Sequence, residues 1–346
     1  MRAFTKILAG LLFLLFIAVS CGNPEQKEDT AKSERVVQEQ TELIRLNEMI
    51  TKDSSNPDLY NHRARFYIER KMVNEALGDI NTAIQLDAEN PAYYLTLSDI
   101  YLAMGQGIKC EDALEKAIRL KPDDIDALLK MGELNFILQD YKDAIKYLNN
   151  ALELDPNNST AYLIKGYSYI EAGDTSRAIE NFGLATEKNN DNYDAYMQLG
   201  LIYDAIGNKL AGDYYQNALR INPESVEALY AMALFLQNNR QIEKAFELYE
   251  KIISINPSFM YAYYNMGYLN LIYYENFEGA KDYFNTALEI DPTFAKAYYN
   301  RGYCNELTGD YAQARKDYQR TMEIIPNYEK AIEGLNRLDK LQGITN

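Results

Sequence analysis

One pattern of 34 residues recurs eight times in succession and dominates the chain. In residues 125–158, Leu128, Met131 and Gly132 follow the spacing of one helix face, and Ala144 begins a second face after a polar break. Each repeat therefore predicts two short helices joined by a turn. Because such units are stable only when stacked on their neighbours, the chain is expected to fold as one repeat array.

The same positions hold the same kind of residue in every repeat. A large residue lies near the start of the first helix, at Tyr60, Tyr94, Leu128, Tyr162, Tyr196, Leu229, Tyr263 and Tyr298. A small residue follows four places later, at Ala64, Ser98, Gly132, Gly166, Gly200, Ala233, Gly267 and Gly302. The buried face of the second helix begins at Ala76, Cys110, Ala144, Ala178, Ala211, Ala245, Ala280 and Ala314. Small residues let helices approach to van der Waals contact, so the pattern predicts tightly packed hairpins.

This pattern resembles the tetratricopeptide repeat family over about residues 57–328. The resemblance implies an all-α fold, a right-handed superhelical solenoid of eight helical hairpins with capping helices. The predicted repeats are residues 57–90, 91–124, 125–158, 159–192, 193–225, 226–259, 260–294 and 295–328. The fifth repeat is one residue short near Gly207, and the seventh has one extra residue near Tyr274.

Three basic residues, Arg63, Lys165 and Arg301, stand where the family usually has Leu. We expect each aliphatic stem to cover apolar surface while the charge stays in water.

Both ends of the array carry an amphipathic segment that is expected to cap it, within residues 33–56 and 329–346. The apolar residues expected to face inward are Val37, Leu43, Leu46 and Ile50 in the first cap and Ile332, Leu335, Leu338 and Leu341 in the second.

The first residues read as a targeting segment. Residues 1–20 have a basic start and an apolar run of 13 residues, which is typical of a secretory signal. The small residues before Cys21 resemble the lipobox of bacterial lipoproteins, which implies cleavage before Cys21 and acylation of that residue with chains such as palmitate. An ordinary signal with an incidental Cys is the alternative. Residues 21–32 contain almost no apolar residue and are predicted to form a flexible tether.

By the same resemblance, Gly22 in place of Asp favours the outer membrane of a Gram-negative bacterium. The acidic residues around Glu28 match either a surface-export tag or a solvated linker, so both the periplasmic and the exposed face stay open.

Composition excludes several functions. The chain has 35 Lys and Arg against 51 Asp and Glu, which argues against nucleic acid or an anionic membrane surface as a partner. It has one His, and it lacks phosphate-loop, metal-binding and nucleophile motifs, so we expect no enzyme, cofactor or metal. Cys110 and Cys304 are predicted to be buried thiols without a disulfide.

In the family the first helices line a concave groove, which places a mixed set of residues there. In the first five repeats the groove positions are mainly acidic, and include Asp58, Glu69, Asp99, Asp126, Glu133, Glu171, Asp194 and Asp204 together with Tyr167. In the last three they are Tyr230, Tyr261, Tyr264, Tyr268, Tyr299 and Tyr303, which we expect to face solvent. The candidate partner-binding residues are these six Tyr with Asp99, Glu133, Tyr167 and Asp204.

The acidic and the aromatic groove positions each have an explanation that requires no ligand. Helix dipoles favour acids in a first turn whatever the ligand, and a chain with 30 Tyr places some of them in any groove. Tyr nevertheless suits recognition, because it offers large contact area with little rotamer entropy.

Together these observations favour a lipid-anchored scaffold that binds an extended segment of other envelope proteins, with no nucleic acid partner. A basic and apolar or aromatic segment fits better than a terminal carboxylate, since the cationic half of the family's carboxylate clamp is missing. The alternative is a surface lipoprotein that stacks glycans on the groove Tyr, which the absence of Trp weakens.

Overall fold

The computed structural model describes residues 40–341, and this part of the chain is helical without strands. The signal segment, Cys21, the tether, Val37 and residues 342–346 lie outside the described residues. The all-α prediction is confirmed. The chain divides into two compact units, one ending at Leu138 and the other beginning at Gln139.

Unit 1 contains six described helices. They are α1 (residues 40–52), α2 (Pro57–Glu69), α3 (Val73–Leu86), α4 (Pro91–Ala103), α5 (Gly107–Leu120) and α6 (Ile125–Ile137). Consecutive helices pack against one another, as α2 does with α3 and α4 with α5. Its core includes Ala64, Ala76, Ile80 and Ile100.

Unit 2 contains the remaining described helices. They are α7 (Tyr141–Leu154), α8 (Ser159–Glu171), α9 (Thr175–Lys188), α10 (Tyr193–Ala205), α11 (Leu210–Ile221), α12 (Val226–Asn238), α13 (Ile242–Ile255), α14 (Met260–Ile272), α15 (Phe277–Ile290), α16 (Ala295–Leu307), α17 (Tyr311–Ile324) and α18 (Glu329–Leu341). We call the first helix of each repeat the A helix and the second the B helix, and we count the cap α18, which follows the last repeat, among the A helices. The A helices have 13 residues and the B helices 14, except that α11 has 12.

In several hairpins of unit 2 the small residue of the A helix lies directly against an aromatic ring of the B helix. A Cβ added at Gly166 would lie 2.5 Å from the Phe182 ring, and one added at Gly267 would lie 2.7 Å from the Phe284 ring. The predicted close approach is therefore confirmed, and glycine provides the space for an aromatic ring of the B helix.

Two of the basic residues in Leu positions are held by buried carboxylates. The Arg63 Nε and Nη2 donate to Asp79 at 2.6 and 2.7 Å, and its Nη1 donates to Asn47 Oδ1 at 2.6 Å. Asp79 is buried, so the expectation that this charge stays in water is wrong. The fork of a guanidinium matches a carboxylate, which makes the paired charge tolerable inside the array.

Arg301 repeats this arrangement with the same spacing of 16 residues on each side. Its Nε and Nη2 donate to Asp317 at 3.0 and 2.6 Å, and its Nη1 donates to Asn285 Oδ1 at 2.8 Å. Asp317 is 2% exposed. In both places an amide of the preceding helix, an Arg of the A helix and an Asp of the B helix tie three helices together.

Lys165 occupies the same position but faces Asn181, which replaces the Asp. Asn181 is buried and its Oδ1 has no hydrogen-bond partner. Burial lowers the pKa of Lys165. The fourth repeat therefore carries an incomplete version of the contact that Arg63 and Arg301 make.

The first cap and both Cys residues agree with the prediction, whereas the second cap agrees only in part. Leu46 and Ile50 of α1 are buried, and Cys110 and Cys304 are buried free thiols. In α18, however, the buried face consists of Ala331, Gly334 and Leu338, whereas Leu341 and Ile332 are exposed and Leu335 is half-buried. This face was mispredicted because Gly334 lets the Tyr318 ring approach, which turns that side of α18 inward.

Replacing Gly267 by Ala should destabilise unit 2 by about 1–3 kcal/mol, because the new methyl group overlaps the Phe284 ring. The matched control is Gly183→Ala in α9, where an added Cβ meets nothing within 4 Å and helix propensity favours Ala. Thermal unfolding followed by circular dichroism measures both. A Gly267→Ala protein as stable as the Gly183→Ala protein would contradict this packing.

Installing the missing ion pair in the fourth repeat should stabilise it. Lys165→Arg combined with Asn181→Asp recreates the contact of Arg63 with Asp79, so the two changes should couple favourably by on the order of 1 kcal/mol. Unfolding midpoints of the wild type, both single variants and the double variant give this coupling. Purely additive effects would show that the fourth repeat does not share the geometry.

Candidate functional site

An aromatic row runs along the A helices of unit 2, from α12 to α18. It consists of Tyr230, Phe259, Tyr261, Tyr264, Phe294, Tyr299, Tyr303 and Tyr328. One contact occurs three times: an A-helix Tyr packs on the ring that directly precedes the next A helix. The ring centroids are 5.2 Å apart for Tyr230 and Phe259, 4.9 Å for Tyr264 and Phe294, and 5.5 Å for Tyr299 and Tyr328.

The ring before each of these helices stands where earlier repeats have a helix cap. The side chains that accept a hydrogen bond from a first-turn N–H are Asn56, Asn90, Asp124, Asn158, Asn192 and Ser225. Phe259 and Phe294 take this position before α14 and α16 and cannot accept such a bond. Sequence reasoning missed Phe259, Phe294 and Tyr328, although the change from Asn, Asp or Ser to an aromatic residue marks them.

Buried amides fix two of the Tyr hydroxyl groups. Asn265 Nδ2 donates to the Tyr230 hydroxyl at 3.3 Å, and Asn300 Nδ2 donates to the Tyr264 hydroxyl at 3.1 Å. A Tyr hydroxyl is neutral near pH 7 and has a proton to donate, and burial raises the pKa of Tyr264 further, to about 12. The row therefore combines apolar ring surface with oriented hydrogen-bond donors.

The prediction that all six Tyr face solvent is wrong for five of them. Tyr261 is 48% exposed, whereas Tyr230, Tyr264, Tyr268, Tyr299 and Tyr303 are half-buried. For Tyr230, Tyr264, Tyr299 and Tyr303 the reason is packing between rings of the row, including parallel rings for Tyr299 and Tyr303 with centroids 6.4 Å apart. Tyr261 is the most accessible ring of the row, and its centroid lies 5.9 Å from that of Phe294.

At the end of the row an Arg of the chain itself is bound by a carboxylate and lies over a Tyr ring, and a second Tyr donates a hydrogen bond to that carboxylate. Arg337 of α18 donates to Glu306 from Nε at 2.7 Å and from Nη2 at 2.8 Å. The Tyr318 hydroxyl donates to the same carboxylate at 2.5 Å, and the Arg337 guanidinium lies 5.9 Å from the Tyr303 ring centroid. We call this arrangement the Glu306 site.

Two opposing effects, burial and hydrogen bonding, determine the ionisation of Glu306. Burial opposes its charged form, but the hydrogen bonds from Arg337 and Tyr318 outweigh burial and hold the pKa of Glu306 below its ordinary value. The carboxylate is therefore ionised at neutral pH and anchors α18 to α16.

The other four predicted binding residues, three acids and one Tyr, have different environments. In unit 1, Asp99 pairs with Lys130 at 2.5 Å, and Glu133 is exposed. In unit 2, Tyr167 is half-buried against Phe182, with ring centroids 5.3 Å apart. Asp204 is also half-buried, and burial raises its pKa.

Among residues 40–341, no three or more His, Cys, Asp or Glu side chains are grouped so that they could hold a metal ion. In the same range, every helix is too short or too polar to cross a membrane.

Tetratricopeptide repeat sequence models match residues 91–124, 193–225 and 261–294, residues 125–158, and residues 147–180, 214–247 and 283–316. These matches together cover more than half of the chain, and those at residues 91–124, 125–158, 193–225 and 261–294 each span one A helix and the B helix that follows it. The chain belongs to the tetratricopeptide repeat family.

Several solved structures are similar to this chain, and the first has a similar fold. The C-terminal part of a repeat-containing protein from Cytophaga hutchinsonii is 19% identical, with a TM-score of 0.60 over 69% of this chain and 98% of that chain. A tetratricopeptide repeat protein from Parabacteroides merdae is 19% identical, with a TM-score of 0.48 over 72% of this chain and 98% of that chain. The MamA protein is 24% identical, with a TM-score of 0.44 over 49% and 94%. No curated protein sequence matches significantly.

Lowering the pH should loosen α18 through Glu306. Because the pKa of Glu306 is depressed in the folded state, its contribution is complete above the ordinary pKa of 4.5 and is lost as the pH falls from there through the depressed value. Hydrogen exchange of α18 amides, corrected for intrinsic rates, should accelerate several-fold in this window. In Glu306→Gln the exchange should be faster at neutral pH and depend less on pH. An unchanged pH dependence in that variant would exclude Glu306 as the cause.

Proposed function

We propose that this tetratricopeptide repeat protein is a non-enzymatic scaffold, anchored to the outer membrane through Cys21, that binds an extended segment of another envelope protein. Tetratricopeptide repeats suggest a protein–protein interaction scaffold, and proteins of this kind are typically non-enzymatic. The anchor is supported by the apolar run and the small residues that precede Cys21. A tethered scaffold raises the local concentration of its partner at the membrane.

The observation that carries the proposal is the aromatic row. Its rings lie on consecutive A helices, and the row includes both the exposed ring of Tyr261 and the amide-oriented hydroxyl of Tyr264. An extended peptide crossing these helices would find apolar surface at each step and a hydroxyl donor for its backbone carbonyls. Aromatic residues are enriched at protein interfaces, and Tyr is among the residues whose removal most often weakens binding.

The test uses changes that leave the core intact. Because Tyr264 packs on Phe284 and Phe294, removing its ring would damage the fold, so Tyr264→Phe removes only the hydroxyl. Tyr261→Ala removes the exposed ring. The matched control is Tyr273→Ala, since Tyr273 is 45% exposed but lies in the turn after α14, outside the row.

Full-length protein in detergent is used to capture partners from solubilised envelopes. A protein retained by the wild type and by Tyr273→Ala, but lost with the double variant Tyr261→Ala/Tyr264→Phe, should then bind the purified wild type directly, with the double variant at least tenfold weaker. Equal retention by all three proteins would contradict the proposal. Retention of glycans instead, in a Tyr261-dependent way, would favour the glycan-binding alternative.

A further inference from the structure

We propose that the partner segment is rich in proline and crosses α12, α14 and α16 as a polyproline II helix, with a proline packed on the aromatic row at each of these A helices. This inference rests on the proposed function and names the chemistry and the conformation of the partner segment.

Three tyrosines of the aromatic row occupy the same place in three successive A helices. Tyr230, Tyr264 and Tyr299 are the fifth residues of the last three repeats, and each packs on the ring that precedes the next A helix. The fifth residues of the earlier repeats are Asn61, Leu95, Leu129, Leu163 and Met197. A ligand that crosses the last three A helices therefore meets a similar pair of rings at each helix.

The spacing of these helices favours one conformation of the ligand. Hydrogen bonds join α12 to α14 and α14 to α16, and helices in such contact lie about 8–10 Å apart. A polyproline II helix has three residues per turn and rises about 3.1 Å per residue, so it presents the same face about every 9 Å. A β-strand turns residues i and i+3 to opposite faces, so it could not place every third side chain on successive helices.

The hydroxyl groups of the row favour a ligand that offers backbone carbonyl groups. The hydroxyl oxygens of Tyr230 and Tyr264 accept hydrogen bonds from Asn265 and Asn300 at 3.3 and 3.1 Å. Within residues 40–341 neither hydroxyl donates to another group, so both keep a proton for an acceptor of the ligand. A proline has a carbonyl but no N–H. Its backbone can therefore lie against the rings without leaving a buried donor unpaired.

The row itself carries no charge, since it consists of Tyr and Phe, and the carboxylate of the Glu306 site is already paired with Arg337. The surface therefore favours an uncharged ligand face, such as proline rings packed on aromatic rings. Tyr261 lies between Tyr230 and Phe294, with ring centroids 6.2 and 5.9 Å away, and is 48% exposed. It keeps apolar surface accessible to the ligand at α14.

The experiment compares two peptides of twelve residues with blocked ends, titrated into full-length protein in detergent by calorimetry. The first is acetyl-(Pro-Gln-Ala)4-amide, which has Pro at every third position. The second has the same composition, with its four Pro separated by alternating steps of two and four residues. The first should bind about fivefold more tightly, because only its prolines recur with the turn of the polyproline II helix.

Hydroxyl deletions test the contact with the ligand carbonyl groups. Tyr264→Phe and Tyr230→Phe leave every ring in place, and each should weaken binding of the first peptide about fivefold, as expected for one neutral hydrogen bond. The matched control is Tyr273→Phe, which removes an exposed hydroxyl outside the row and should bind like the wild type. Circular dichroism verifies that all variants are folded. Equal binding of the two peptides, or equal binding by the wild type and both row variants, would overturn the inference.

This inference and the proposed function fail in different ways. An envelope protein captured through Tyr261 and Tyr264, together with no binding of either peptide, would retain the scaffold and overturn the proline-rich segment. Binding of the first peptide that depends on the Tyr230 and Tyr264 hydroxyls, without any captured envelope protein, would support the proline-rich segment and count against an envelope partner.

Discussion

Contact between a glycine of the A helix and an aromatic ring of the B helix sets the helix spacing in three hairpins of unit 2. Gly166, Gly200 and Gly267 each face a ring so closely that an added Cβ would lie within 2.7 Å of it. Such a contact buries a large ring without separating the helices, so much apolar surface is removed from water in a short hairpin. The A-helix surfaces on which the candidate site lies are positioned by these contacts.

The aromatic rings of the B helices also contact the twelfth residue of the repeat, which can be polar or apolar. A B-helix ring that reaches across the hairpin brings its para position beside the twelfth residue of the repeat. A Phe there suits Leu271, whereas a Tyr would bury a hydroxyl without a partner at a cost of about 1–3 kcal/mol. Beside Glu306 the hydroxyl of Tyr318 has an acceptor, so the core can end in a polar group. The choice between Phe and Tyr on the B helix therefore indicates whether the twelfth residue of the repeat, on the A helix, is apolar or polar.

Sequence reasoning succeeded where one residue type determines the local structure. The helix pairs, the small A-helix residues and the buried Cys110 and Cys304 follow from periodicity and size alone. It failed where a contact joins separate helices. The charge of Arg63 was expected in water because its carboxylate partner, Asp79, lies 16 residues away on another helix. The half-burial of Tyr264 was missed for a similar reason, since Phe294 covers it from the start of the next A helix.

The free energies of helix capping and of aromatic packing indicate which contacts of the aromatic row are explained by folding alone. Losing a side-chain cap costs a helix about 1 kcal/mol, and a well-placed aromatic pair contributes about 0.5–1.5 kcal/mol beyond the area that it buries. Replacing a cap by Phe259 or Phe294 is therefore nearly neutral for stability, so folding alone explains the buried contacts with Tyr230 and Tyr264. It does not explain why Tyr261 keeps 48% of its surface exposed, although its ring centroid lies 6.2, 6.0 and 5.9 Å from those of Tyr230, Phe259 and Phe294. An exposed ring at the centre of such a row is better explained by contact with a ligand than by the stability of the array.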